Sequence, residues 1–326
     1  MRHQKRILGL MIGALAIMPM VASAQAESYP SRPITLIIPF PAGGTTDVVG
    51  RIVAERLTAE LGQTVIAENR GGAGGSIGSN AIAKAKPDGY TLGIATVSTH
   101  GINPAVYKQL PFDAKKDFTP ITNVAAVPNV MTVNPKVKAQ NMQEFVALAK
   151  SEPGALSYAS AGHGSVANMM GELFKMASKT DLLHVPYRGS GPALTDTLAG
   201  QVDAFFDNLP TSLPHIKAGK LRALAVAWPQ RVAALPDVPT FAEVGLPEVN
   251  DASWFGLIAP AGLPADILEK LNAATVKVLK SPEVIERLAS LGAAPIGNTP
   301  AEYAKQIFDR IDQSAIVAKQ AGISID

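Results

Sequence analysis

The sequence predicts an α/β protein with largely parallel sheets, divided into two domains. Three observations predict it. Short apolar runs alternate with amphipathic stretches through most of the 326 residues. The runs are apolar on successive positions rather than on alternate ones, as expected of strands covered on both faces. Joints rich in proline and glycine, such as KPDGY, SEPGAL and PSRP, punctuate them.

The first element lies outside the fold. Arg2, Lys5 and Arg6 precede an apolar stretch from Ile7 to Val21, and Ala22-Ser23-Ala24 follows. A basic start, a short apolar run and small residues describe a secretory signal peptide of residues 1–24, cleaved after Ala24. The alternative, a membrane anchor, needs a run of about 20 apolar residues. No cysteine follows the cleavage site, so a lipid anchor is not expected.

Removing this segment changes the charge. The chain has 29 Lys and Arg against 27 Asp and Glu, and the signal takes three basic residues and no acidic ones. The remainder therefore carries 26 (29 − 3) against 27, a net charge of −1. Nothing in that balance calls for nucleic acid or an anionic membrane. The remaining 302 residues (326 − 24) suit two domains of about 150 each. The absence of cysteine excludes disulfides, thiolate chemistry and cysteine metal sites.

The strands then follow in order: ITLIIPF, TVIAEN, TLGIATV, VMTV, LSYASA, LLHVPY, VDAFFDN and LRALAVA. Helical periodicity lies between them at 47–61, 77–85, 142–150, 167–177 and 193–198. After ASWFGLIAP come three further helices, beginning near Pro264, Pro282 and Pro300. Proline in a first turn loses no hydrogen bond. AAVPNV (125–130) and LPEVND (246–251) read as crossing points. They divide the chain into one domain of 28–127 plus 250–326 and another of 128–249.

Three glycine-rich loops are candidates for chemistry, because ligands of α/β sheets bind where strand ends meet helix starts. In PFPAGGTTD, the amides and hydroxyls of Gly43, Gly44, Thr45 and Thr46 precede a helix and suit an anion. They also suit an ordinary cap, with Asp47 favouring the helix dipole. In SAGHGSVAN, Gly162, Gly164 and Ala167 match a dinucleotide fingerprint. The next acid after Glu172 is Asp181, too early for a ribose contact, so an anion cradle or a plain turn fits better. In ENRGGAGGSIGSN, Gly74, Ser76 and Gly78 match a nucleophile elbow, but RGGAG separates the serine from its strand. This leaves a secreted serine esterase using Ser76 as an alternative, with His100, His163, His184 and His215 available as bases, against a simple helix cap. No histidine pair at helical spacing or acidic calcium loop predicts a metal.

These stretches together resemble the extracytoplasmic solute-binding proteins of tripartite tricarboxylate transporters, the Bug family. The motifs are PFPAGGTTD, ENRGGAGGSIGSNAIAKAKPDGYTL, SAGHGS, HVPYRGSGPAL, LPDVPTFAEVGLP and GLIAPAGLP, in this order. The resemblance implies a two-domain periplasmic-binding-protein-like fold with two interdomain crossovers and a ligand cleft between the domains. It implies two jaws that hold a carboxylate through backbone amides, hydroxyls and water. The first jaw is Gly43, Gly44, Thr45 and Thr46, with Asp47 beside it; the second is Gly162, Gly164 and Ser165; Phe40 is a further ligand-binding candidate. Ser98, Thr99 and His100 follow a strand and look like further cleft residues, and Asp207 resembles a family position near the ligand. The family often has a histidine where this chain has Asn168. Facing the ligand's far end, the change would alter which ligand is preferred; facing the helix interior, the reading preferred here, it is packing. Arg188 is read as a surface charge or an interdomain tie rather than a carboxylate fork. The resemblance further implies a monomeric periplasmic receptor with no catalytic residue, cofactor or metal. It would capture an organic acid, aromatic acid or acidic amino acid and deliver it to an inner-membrane permease. A sensor component using the same cleft is the remaining alternative.

Overall fold

The computed structural model describes residues 29–325; the signal segment lies outside them. Along the chain, β1 (Ile34–Ile38), α1 (Thr45–Leu61), β2 (Val65–Asn69), α2 (Ser76–Ala83), β3 (Thr91–Thr96), α3 (Asn103–Val106) and β4 (Phe118–Val127) come first. The middle comprises β5 (Asn129–Val133), α4 (Met142–Ser151), β6 (Ser157–Ser160), α5 (Val166–Ser178), β7 (Leu183–Pro186), α6 (Ser190–Ala199), β8 (Ala204–Asn208), α7 (Leu209–Lys217) and β9 (Arg222–Ala227). The chain closes with β10 (Ser253–Pro260), α8 (Ala265–Leu279), α9 (Pro282–Ser290), β11 (Ala294–Pro295) and α10 (Pro300–Ala321).

Two sheets result. One has the order β11-β4-β10-β3-β1-β2 and the other β7-β6-β8-β5-β9. Neither is largely parallel. β1 pairs in parallel with β2 and β3, and β6 with β7 and β8. β10 runs antiparallel to β3 and β4, β11 to β4, and β5 to β8 and β9. The reversal has a topological cause. β5 enters the second sheet straight from β4, and β10 brings the chain back, so neither arrives through a helical crossover of the kind parallel pairing needs.

The helices cover these sheets with regular faces. In α1, Val49, Ile52, Val53 and Leu57 are buried at helical spacing, and left-handed Gly62 caps the end. Thr299 and Glu302 form a capping box for α10 with Pro300 in its first turn. Tyr303, Ile307 and Ile311 of α10 are buried, and Trp254 meets the Tyr303 ring edge-on at 5.5 Å between centroids. Among the described residues, no helix is long and apolar enough to cross a membrane.

The two passages between the sheets meet in one polar cluster. Asn129 Nδ2 donates to the Asp251 carbonyl at 2.7 Å, and Ser253 Oγ donates to Asn129 Oδ1 at 2.7 Å. Asn208 Nδ2 donates to Ser253 Oγ at 2.9 Å. Asn129 is fully buried, so these bonds satisfy groups that would otherwise be costly. Arg310 of α10 pairs with Asp251 at the same place.

Candidate functional site

Four strand-to-helix junctions converge between the sheets: β1 to α1, β6 to α5, β7 to α6 and β8 to α7. The α1 wall is Phe40, Pro41, Gly44, Thr45 and Thr46; Ala161, Ser165, Val166 and Ala167 come from the α5 junction. Ser190 begins α6, and Asp207 and Asn208 precede α7. Thr96, Val97 and Ser98 after β3, with Ser253, Trp254 and Phe255 of β10, close the remaining side. The space left is narrow, a cavity of about 30 Å³. That admits at least one ordered water.

The first amides of each helix have no intrahelical acceptor, and the helix dipole adds positive potential there. At α1, Gly44 is the N-cap without a side-chain cap, so the Thr45 and Thr46 amides stand at the cavity wall. At α5, Ser165 Oγ accepts from Asn168 N at 3.2 Å, and Val166 N donates to Ser98 Oγ at 3.0 Å. No Lys, Arg or His is among the described residues lining the cavity. The positive character of the site comes from peptide groups alone.

Contacts from one sheet region to the other tighten this site. Ser98 to Val166 is one. Thr45 Oγ1 and Thr211 Oγ1 lie 2.7 Å apart, and Tyr107 Oη donates to the His163 carbonyl at 3.1 Å. Glycines allow the backbones to approach. A Cβ on Gly164 would lie 2.6 Å from Tyr107 Cε2, and one on Gly74 would lie 2.6 Å from the His163 carbonyl oxygen.

Asp207 is the cavity's titratable side chain. It is 1% exposed. Ser212 Oγ donates to its Oδ2 at 2.8 Å, while Oδ1 has no partner. Burial pushes its carboxyl up to about 7, against the hydrogen bonds of Ser190, Ser212 and the Asn208 backbone.

Of the sequence-derived candidates, Phe40, Gly44, Thr45, Thr46, Ser98, Ser165 and Asp207 line the cavity. The others sit behind it. Asp47 accepts from Gly43 N at 3.1 Å, Arg51 Nε at 2.8 Å and Asn69 Nδ2 at 2.9 Å, so its carboxylate braces the loop. Gly162 N donates to Ser160 Oγ at 3.1 Å and Gly164 N to Asn168 Oδ1 at 3.2 Å, so both amides serve the loop's own shape. Thr99 and His100 require a correction. A π-helical turn over Val97–Ile102 turns them into the interior, where Thr99 bonds Thr96 and His100 packs on Phe112 and Phe118. Asn168 bonds Gly164 N and Tyr158 Oη and does not face the cavity; Arg188 is exposed. Ser76 opens α2 and accepts from Asn103 Nδ2 at 3.3 Å, a partner that cannot act as a base.

Sequence reasoning missed Ser190, Asn208, Ser253, Trp254 and Phe255. Two of them had a signal. Ser190 stands between two glycines before a proline, and Asn208 ends an apolar run before Pro210, both marks of a helix start.

Two α/β sheet regions joined by two chain passages, with helix N-termini around an enclosed cation-free cavity, define a solute-binding protein of the type found outside the cytoplasmic membrane. The comparison with known proteins gives the family. The model of the tripartite tricarboxylate transporter family receptor matches residues 49–323, and this chain belongs to that family. Protein BugT of Bordetella pertussis is 38% identical over 98% of this chain and 97% of its own. An R. palustris protein solved with adipate superposes at a TM-score of 0.88, with 37% identity, over 91% of this chain and 99% of that one. MatC from Rhodopseudomonas palustris, solved with malate, superposes at 0.85 with 35% identity, over 89% of this chain and 99% of that one.

Proposed function

We propose that the protein is a periplasmic receptor that captures a small carboxylate in this cavity and releases it unchanged to a transporter permease. One observation carries the reading: four helix starts converge on an enclosed space whose lining contains no cationic side chain. Such a site stabilises negative charge with peptide dipoles, each worth about 0.3–1 kcal/mol when exposed and more when partly buried. Amide donors to a carboxylate add charge-assisted hydrogen bonds. The adipate and malate held by the two relatives are carboxylates of the class such a site would take.

The two sheet regions act as lobes, 28–127 with 250–326 and 128–249. The Thr45 and Thr46 amides belong to one lobe, and Ala167, Ser190 and Asn208 to the other. A solute that needs both sets favours the closed arrangement. The closed, loaded form is what the permease would recognise. Residues 1–24 direct export and are removed. The esterase alternative gains no support from Ser76, whose hydrogen-bond partner is Asn103.

Thermal unfolding of the mature protein with mono-, di- and tricarboxylates, aromatic acids and acidic amino acids tests this. At one hundred times its Kd, a true ligand stabilises by about 2.7 kcal/mol, a shift of several degrees. Gly44→Val should remove the shift and leave the unliganded melting temperature nearly unchanged. Gly44 has ordinary backbone angles, and a Cβ there lies 3.4 Å from Ser190 Cβ, between the lobes. Normal binding by that variant would refute the two-lobed grip.

A further inference from the structure

A carboxyl group in a carboxylate-binding cavity poses a problem. Asp207 ends β8 where α7 begins, almost wholly buried, with Oδ2 held by Ser212 and Oδ1 unpartnered on a residue of the cavity wall. An ionised side chain there would repel the charge that the surrounding amides attract. Two carboxyl groups confined to one low-dielectric site hold a proton between them.

We propose that Asp207 works as the neutral acid, donating its Oδ1 proton to the bound solute, so that the receptor retains or takes up one proton with each carboxylate it captures. This rests on the carboxylate reading above and extends it to a second cargo. The step involves no covalent chemistry on the solute. Above the titration midpoint of the empty site, a proton from water joins Oδ1 as the anion binds, and it returns to water on release.

The surroundings favour this state. Ser212 donates to Oδ2, which leaves Oδ1 as the oxygen to be protonated. The groups acting on Asp207 are burial, the Ser190 and Ser212 hydroxyls and the Asn208 amide, and burial prevails, placing the midpoint at about 7. Charged groups on the neighbouring elements are engaged or remote. On α1, Asp47 pairs with Arg51 and Asn69; on β7, His184 Nε2 lies 2.7 Å from Ser160 Oγ; before α6, Arg188 is exposed. On α7, His215 and Lys217 lie in the last turn, away from Asp207. The facing stretches of β5, β6 and β10 (Asn129–Val133, Ser157–Ser160, Ser253–Pro260) contain no ionisable side chain except Tyr158, whose hydroxyl bonds Glu172.

An ionised Asp207 could instead accept a hydrogen bond from a hydroxyl or ammonium on the solute, and that role gives the opposite pH dependence. Calorimetry with adipate, which has neither group, and with malate separates the two between about pH 6.5 and 9, where the probes' own carboxyls are ionised. Buffers of different ionisation enthalpy count protons. The expected result is an apparent Kd that weakens about tenfold per pH unit above the midpoint, with close to one proton taken up per solute at high pH. Asp207→Asn keeps an N–H donor and cannot ionise, so it should abolish the pH slope and the proton uptake. A flat wild-type profile, or binding that tightens as pH rises, overturns the proposal.

Carboxyl carbon-13 resonances of the solute-free protein, assigned by loss of one signal in Asp207→Asn, give the midpoint without any ligand. A midpoint in the ordinary carboxylate range, near about 4, also overturns the proposal. If the midpoint is near 7 but no carboxylate binds at any pH, the carboxylate reading itself fails and the proposal falls with it; the solute-free titration tells the two failures apart.

Discussion

His100 packs its ring against Phe112 and Phe118, with centroids 5.9 and 4.5 Å away. Its Nδ1 lies 2.8 Å from Thr99 Oγ1, and Nε2 has no partner. Burial lowers its pKa to about 3. The free imidazole value is 6.5, so below that pH the unfolded chain binds a proton that the folded chain refuses. Stability from neutral His100 is therefore present above about 6.5 and is lost as the pH falls towards 3. Between pH 7 and 5 the loss amounts to about 2 kcal/mol. His184, lowered to about 4 by burial, acts in the same direction. Urea midpoints at both pH values should therefore fall less in His100→Gln than in the wild type; an equal fall would mean that His100 is protonated in the folded state. The residue also marks a limit of sequence reading. Thr99 and His100 follow a strand end, where site residues concentrate, and nothing local announces the π-helical turn that directs Ser98 to α5 and His100 into the core. Asp47 is similar: its position beside the loop was legible, but not that its two oxygens are taken by Gly43, Arg51 and Asn69.

At the scale of elements, the helix starts line the cavity and carry the contacts across it on which the proposed closure would rest. Ser98 Oγ accepts from the first amide of α5 across the gap between the sheet regions, and Val166 belongs to the buried core. Ser98→Ala leaves that amide without its acceptor only when the lobes are together. Such a loss costs about 1–3 kcal/mol, charged to the closed form alone. Solute affinity should fall about tenfold or more, since 1.4 kcal/mol is a factor of ten, while the unliganded melting temperature changes little. An unchanged Kd by calorimetry would show that this bond contributes nothing to capture. The elements themselves were legible where their patterns are clean. Amphipathic spacing located α4 and α5 to within one residue at each end and α1 to within two, and the prolines marked α8, α9 and α10. α7 was not read, because Pro210 and Pro214 interrupt its pattern; Pro210 sits in the first turn, where it is tolerated. β4 was not read either, since Thr119, Pro120, Thr122 and Asn123 resemble a loop, and β4 pairs with β10 only through two register shifts. Missing α7 left Asn208 as a mere strand end, so that of this junction only Asp207 was named as a site residue.

Across the whole molecule, the glycines of two separate motifs meet at one seam. Gly74 lies in the first sheet region and Gly164 in the second; each stands where the opposite side comes closer than a Cβ permits. This accounts for RGGAGGSIG, which resembles a catalytic elbow in sequence and serves as a contact surface in the fold. It also predicts that a single methyl group can bias the molecule. Gly164→Ala places a Cβ 2.6 Å from Tyr107 Cε2 and 2.7 Å from Asn103 Oδ1, across the seam, and should hold the lobes apart. Its backbone is left-handed, with φ +72°, so alanine there also carries a local cost of about 1–2 kcal/mol. Gly219 supplies the control: its φ is +67°, and a Cβ there meets nothing within 4 Å. Gly164→Ala and Gly219→Ala should thus lose similar stability. In small-angle scattering with a bound carboxylate, however, only the Gly164 variant should stay more extended than the wild type, and only it should bind weakly. If both variants close alike, the seam does not govern the lobe equilibrium, and the strain of the left-handed residue explains whatever is lost.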